Sequence, residues 1–310
     1  AGCPALIGTP SVDSAANPYR DALCGLKLDD PVRAFFDWCR ERESIRLKRE
    51  TGQSPPWSAD PIFQQGRFLN VFREDDKGSK AICRFVERAG KSVPELLHAL
   101  FFARWCNQHS TLDRLDLRLL QQPVSLRHFL LNTVPQPWFS EAYPVVEARW
   151  QGKTYDRLEA CLELFPRCLG FLEECLRSSA GNVATATRRI NAEFGMRNDF
   201  PVFMAVADVA WFRPELVRPD SPVPTGIGSA PFMDILQRHL GLPSHETTMQ
   251  RMIELQPAYW PEARRKFTPI DIEYLCCECR KYYSYVNGTK RFEGRNRFTP
   301  ATGRAGALDG

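Results

Sequence analysis

No run of about eighteen apolar residues occurs in the 310-residue sequence, which excludes a membrane-spanning helix. No Gly-x-x-x-x-Gly-Lys-Ser/Thr stretch occurs either, and this excludes a P-loop phosphotransferase. Alternating period-two runs are short and scarce, so extensive sheet is not expected. There is no internal repeat. The first residues, AGCPALIGTPSVDSAANP, lack a basic segment and a long apolar core and do not read as a signal peptide. The formal net charge is only +4, so the overall balance selects no partner and local basic clusters matter more. These occur at Arg46 to Arg49, Arg188-Arg189, Arg264 to Lys266, and Lys290-Arg291 with Arg295 and Arg297. The 11 cysteines are an odd number, which argues against a disulfide framework and for a reducing compartment. The CCEC cluster at 276–279 has no second pair at metal-binding spacing and no histidine nearby, so a zinc or iron–sulfur centre is not expected. Cys161, Cys168 and Cys175 recur on one helical face and read as small buried hydrophobes.

The chain does have the makings of a large helical core. It is 43% hydrophobic and 25% charged, with 20 Phe and 7 Trp, the composition of a globular protein. Periodicity is helical almost throughout, and start signals recur. Asp60-Pro61 reads as an N-cap followed by proline in the first turn, Ser92 to Glu95 as a capping box, and Thr268 to Asp271 as cap, proline and N3 carboxylate together. These signals predict roughly ten helices with proline-rich connections. The clearest connections are VPQPW at 134–138 and the stretch 213–228. The expected organisation is an N-terminal extension over 1–30, a single helical catalytic domain over 31–300 in one lobe or two packed lobes, and a flexible tail over 301–310.

Four stretches combine charge with apolar anchors. FLNVFREDDKGSKAI, 68–82, reads either as the solvated end of a helix or as a polar cluster facing a ligand. One face of the last helix carries Asp271, Tyr274, Glu278, Lys281 and Tyr282, which suits solvent or a cleft wall that holds a ring and an anion. In PTGIGSAPFMDIL, 224–236, a Gly-x-Gly turn enters a helix, which is the form of an anion nest or simply of a turn after a linker. Asp208 sits in the apolar segment NDFPVFMAVADVAWF and must be paired, hydrogen-bonded or protonated there; it reads as a partner for an arginine or as an acid/base.

Taken together these stretches resemble the alpha-glutamyl/putrescinyl-thymine pyrophosphorylases, the helical domain associated with 5-hydroxymethyluracil DNA kinases. The resemblance rests on Trp57, Asp60, Pro61, Ile62, Gln64, Arg67, Phe68, Asn70, Arg73, Asp76 and Ser79. It continues in LFFARWCN (100–107) with Arg104 and Asn107, in FPVFMAVADVAWF, and in Asp271, Glu273, Cys277, Glu278, Lys281, Tyr282 and Gly288. It runs from about residue 33 to about residue 300, with the motifs in the right order. The sequence departs from the family pattern in GMRNDFPVF, where a Gly-x-Gly hairpin would be expected, and in TGIGSAPF, which stands for a Pro-Gly-Pro-Gly type of loop.

The resemblance implies an all-α, DNA-glycosylase-like architecture of helix-hairpin-helix type. It implies a transferase that displaces pyrophosphate from 5-(pyrophosphoryloxymethyl)uracil in double-stranded phage DNA, using an amino acid or polyamine, in the host bacterial cytoplasm. Such an enzyme must flip the base out, neutralise departing pyrophosphate with Arg, Lys, a helix N-terminus or Mg²⁺, and deprotonate the amine. Arg67, Arg73 and Arg104 are then bidentate anion donors and Lys281 a point charge. Asn70 and Asn107 read base edges or position phosphate, and Tyr282 stacks on the base. Asp76, Asp208 and Glu278 are bases or orient the arginines. Gly226, Gly228, Arg264 and Arg265 hold the DNA backbone. A covalent route would use Cys277. A non-catalytic DNA-binding module and a DNA glycosylase are the competing classes; the latter requires a catalytic Asp a few turns after the hairpin, and Asp234 comes too soon.

Overall fold

The computed structural model describes residues 17–90, 92–141, 147–196, 198–293 and 297–298. Most of the expected N-terminal extension, the tail over 301–310 and Arg295 lie outside the described residues. The protein is mainly helical. In chain order the helices are α1 (Pro31–Glu50), α2 (Pro61–Gln65), α3 (Lys77–Glu87), α4 (Val93–Cys106), α5 (His109–Leu112) and α6 (Pro123–Thr133). After a hairpin of β1 (Ala148–Trp150) and β2 (Lys153–Tyr155) come α7 (Arg157–Glu159), α8 (Phe165–Arg177), α9 (Val183–Phe194), α10 (Phe200–Phe212), α11 (Ala230–Leu240), α12 (His245–Tyr259) and α13 (Pro269–Val286).

The caps read from the sequence form as hydrogen bonds. Asp60 accepts from the Ile62 amide at 2.7 Å, although α2 then runs only five residues. Ser92 and Glu95 exchange both bonds of a capping box at the start of α4. Asp271 Oδ2 accepts from the amide and the hydroxyl of Thr268, at 2.8 and 2.9 Å.

The chain divides into two compact units. The first lies within 17–68, 225–266 and 272–298 and holds α1, α2, α11, α12 and most of α13. Its core is built on Phe35, Phe36, Cys39, Phe232, Met252, Leu275 and Cys279, all fully buried. The helices α11 and α12 are joined by a tight turn in which Gly241 takes the left-handed conformation (φ 63°).

The second unit lies within 69–224 and 267–271 and contains α3 to α10 with the hairpin. Helix α4 is its axis. Every residue from Leu96 to Cys106 is buried, so the helix is covered all round, by α3, α8 and α10 among others. Phe101, Trp105 and Phe165 pack stacked, tilted and edge to face at 5.0 to 6.1 Å. Arg157 closes the C-terminal end of α4, donating to the carbonyls of Trp105 and Cys106 at 2.6 and 3.2 Å. Cys161, Cys168 and Cys175 are buried free thiols, as their spacing predicts.

The hairpin was not expected. Ala148 pairs with Tyr155 and Trp150 with Lys153 across a Gln151-Gly152 turn. Both turn residues have positive φ (49° and 80°), a conformation that glycine adopts without strain and glutamine rarely does.

Candidate functional site

The segment 69–77 is neither a frayed helix end nor a free loop. Val71 and Phe72 are fully buried, and the Phe72 ring lies 5.7 Å from that of Phe267. The Asn70 amide donates to Asp76 Oδ1 at 2.9 Å, and the Asn70 side-chain amide donates to the Asp75 carbonyl at 3.2 Å. These bonds fold Arg73 to Asp75 into a single 3₁₀ turn with Asp76 at its end. Asn70 and Asp76 therefore shape the turn, and the turn directs Arg73 toward α10.

There Arg73 meets the predicted buried carboxylate. Asp208 is 7% exposed and accepts from Arg104 Nε at 2.6 Å, Arg104 Nη2 at 2.9 Å and Arg73 Nη2 at 3.2 Å. Arg104 Nη1 reaches Asn107 Oδ1 at 3.4 Å. Asn107 ends α4 in the left-handed conformation (φ 44°), which asparagine tolerates better than most residues. Paired helices thus supply a carboxylate and an arginine, and the turn supplies a second arginine. Both oxygens of the buried carboxylate accept guanidinium N–H groups.

A pocket opens on this cluster within the second unit. Its empty volume is ≈ 670 Å³, part of it open to solvent, and Arg73, Glu74, Cys83, Arg104, Asp208 and Trp211 line it among mainly apolar neighbours. Trp211 is 49% exposed, an unusual amount for so large an apolar ring. Burial and then the Asp208 charge push the Cys83 thiol up, so it is held as the neutral, weakly nucleophilic form. Glu74, Cys83 and Trp211 were missed by sequence reasoning. Glu74 lay in the charged run that drew attention, but nothing in that run marks which residue faces a pocket.

The remaining candidates belong to the first unit. Lys281 Nζ donates to the Arg67 carbonyl and lies 5.0 Å above the Phe68 ring. Glu278, 6% exposed, is 3.8 Å from Lys281. The Tyr282 hydroxyl donates to Asp60 at 2.5 Å, and its ring lies 5.1 Å from that of Phe63. Burial and this bond to a carboxylate push the Tyr282 phenol up, so it remains a donor. Asp271, Tyr274 and Glu278 are all buried, so that face of α13 is not a solvated one.

The Gly226 amide donates to the buried Glu273 at 2.9 Å, and the Ser229 hydroxyl donates to the same oxygen at 2.6 Å. A carboxylate of the protein itself thus takes up the nest's donor. At Gly228 the small residue serves close packing, since a Cβ there would stand 2.9 Å from Cys277 Sγ. Burial pushes the Cys277 thiol up as well. Arg264 lines a solvent-open groove together with Arg40, Arg46 and Lys48, which brings together two basic clusters distant in sequence; Glu43, which pairs with Arg46, and Glu262 line it as well. The Arg265 side chain donates to the Lys266 carbonyl at 3.1 Å.

Among the described residues no three His, Cys, Asp or Glu side chains come together to hold a metal ion. In the pocket, Asp208 already accepts from two arginines, which are the cationic groups there.

The family model described as "5-hmdU DNA kinase, helical domain" matches residues 30–290. The chain belongs to that family. Membership in the 5-hmdU DNA kinase helical domain family connects the chain with DNA modification, and the match spans both units. No curated protein and no solved structure matches the sequence. Among the described residues no helix is long and apolar enough to cross a membrane.

Proposed function

We propose that the protein is a DNA thymine-hypermodification transferase acting in the cytoplasm of a phage-infected cell. It displaces pyrophosphate from 5-(pyrophosphoryloxymethyl)uracil in double-stranded DNA with an amino acid or a polyamine. The observation that carries this reading is Arg73. Asp208 orients its guanidinium, one nitrogen is engaged there, and the rest of the group lines a mainly apolar pocket that opens to solvent. A guanidinium in such surroundings stabilises growing phosphate charge far better than one in water.

The amine nitrogen forms a bond to the 5-methylene carbon. The carbon–oxygen bond breaks, and its electron pair leaves with pyrophosphate toward Arg73. The amine proton passes to a carboxylate. Asp208 is a positioning residue, because its oxygens accept from Arg73 and Arg104. Asp76 holds the turn through the Asn70 amide. Within this pocket we assign the proton to Glu74. Trp211 is the ring against which an extruded base stacks. The neutral Cys83 and Cys277 thiols do not favour a covalent route. The tight α11–α12 hairpin supports a helix-hairpin-helix, glycosylase-like organisation, and the basic groove at Arg264 supports a DNA backbone contact.

The test is direct transfer. Duplex DNA carrying the pyrophosphorylated base is incubated with the protein and a mixture of amino acids and polyamines, then digested to nucleosides and weighed. An adduct with loss of pyrophosphate is expected. Arg73→Ala should lower the rate by roughly 10²- to 10³-fold, as loss of one preorganised donor to an oxyanion does. Unchanged nucleoside with DNA binding retained would favour a non-catalytic DNA-binding module. Release of free base would make the protein a glycosylase.

A further inference from the structure

The end of α13 brings two cations that the transfer reading does not use, Arg280 and Lys290, beside Lys281, which the family resemblance gives to departing pyrophosphate. Past Gly288 (φ 70°) the chain doubles back, and the Lys290 amide donates to the Ser284 carbonyl at 3.1 Å. Phe292 stacks on Tyr285 with ring centres 4.2 Å apart and planes 8° apart. This places Lys290 Nζ over the Tyr285 ring at 5.6 Å. Arg280 and Lys281 come from α13 itself. Arg280 is 5% exposed, lies 4.0 Å over the Tyr19 ring, and donates to the Gly228 carbonyl at 3.0 Å and to Cys277 Sγ at 3.4 Å.

Two features of this cluster are costly as they stand. The Lys281 and Arg280 charges both act on Lys290; Lys281 lies 3.8 Å from Glu278 and donates to the Arg67 carbonyl, and among the described residues Lys290 makes no ion pair. The Tyr285 hydroxyl is buried with no hydrogen-bond partner. An unmet buried donor and a half-buried set of like charges are each destabilising, and one bound oxyanion relieves both.

We propose that Arg280, Lys281 and Lys290, with the Tyr285 hydroxyl, form a binding site for a phosphate-type oxyanion in the first unit. The titration of Lys290 agrees with this. Burial first, then the Lys281 and Arg280 charges, push its ammonium down to about 8, while Glu278 and Cys277 act the other way. A bound anion favours the charged form and raises that value. Affinity is therefore full below pH 8 and falls above it, by up to about tenfold per pH unit as one linked proton is lost. The cluster binds such an anion whether or not the chain transfers an amine, so failure of the transfer assay leaves the site standing.

The test is calorimetric titration of the full chain with sodium pyrophosphate at low salt, at pH 7 and pH 9, in two buffers of different ionisation enthalpy. A parallel titration uses unmodified duplex DNA. Binding with proton uptake near pH 8 is expected. Lys290→Met should weaken it by roughly 10- to 100-fold, the worth of one charge-assisted hydrogen bond, and should abolish the proton uptake. Lys290→Arg should retain binding. Tyr285→Phe should weaken it severalfold without lowering thermal stability, an effect that a purely structural tyrosine would not produce. Loss confined to pyrophosphate identifies a leaving-group site, and loss confined to DNA a backbone site. Equal binding by wild type and Lys290→Met in both titrations, or binding without proton uptake, overturns the proposal.

Discussion

Asp208→Asn tests whether the arginine–carboxylate cluster holds the second unit together. The substitution keeps the shape of the side chain and removes its charge. In the native protein the carboxylate accepts from Arg104 twice, at 2.6 and 2.9 Å, and from Arg73 at 3.2 Å. Arg104 and Asp208 side chains are only 7% and 10% exposed, so water cannot replace the lost partner without opening the packing of α4 on α10. An asparagine offers one acceptor in place of two, and its amide N–H groups face guanidinium donors. Removing one partner of a buried ion pair costs about 3–5 kcal/mol. In a folding unit of the second unit's size, about 150–250 residues, each kcal/mol moves the melting temperature by about 2–4 °C. A fall of about 10 °C is therefore expected in thermal unfolding followed by circular dichroism. Arg73→Ala should cost much less, since it removes one 3.2 Å contact and leaves Arg104 bidentate on Asp208. If Asp208→Asn melted within about 2 °C of wild type, the buried-pair reasoning would fail, because so small a shift leaves less than about 1 kcal/mol for the whole cluster.

Two further outcomes follow from single contacts. Gly228→Ala forces a Cβ to 2.9 Å from Cys277 Sγ, and should destabilise by about 1–3 kcal/mol in urea unfolding. The double variant with Cys277→Ala should recover part of that loss, and strict additivity of the two effects would refute the clash. His98 is fully buried, its Nε2 has no partner, and burial lowers its imidazolium from the ordinary histidine range to about 4. The unfolded chain therefore binds the proton more readily. Stability is complete above the ordinary histidine value, declines as pH falls from there to about 4, and is level below it, for a total of a few kcal/mol from this group. In His98→Gln the decline in denaturant midpoint over that range should be shallower; an unchanged pH profile would show that the ring is already solvated.

Much of the fold was legible because its signals are local. The caps at Asp60, Ser92 and Thr268 each link residues two or three apart, so the sequence alone places those helix starts. The Cys161, Cys168 and Cys175 face was legible for the same reason. The hairpin was not, because Gln-Gly is a weak turn signal and three-residue strands are too short for a period to show. Asp208 could be read as needing a partner, since a bare carboxylate in an apolar helix is too costly. Its partners could not be read. The glycines of TGIG suggest an anion nest, but only the structure shows that Glu273 already accepts from Gly226.

The sequence by itself thus determined a mainly helical chain, the starts of several helices, membership in the 5-hmdU DNA kinase helical domain family, and which buried charges demand compensation. Tertiary structure alone decided which charges compensate which. Asp208 meets Arg104 across 104 positions and Arg73 across 135, and Glu273 meets Gly226 across 47. Helix formation is settled by hydrogen bonds within a few residues of chain. The pairing of charges is settled by how helices pack, and that depends on the shape of a whole core rather than on any one segment.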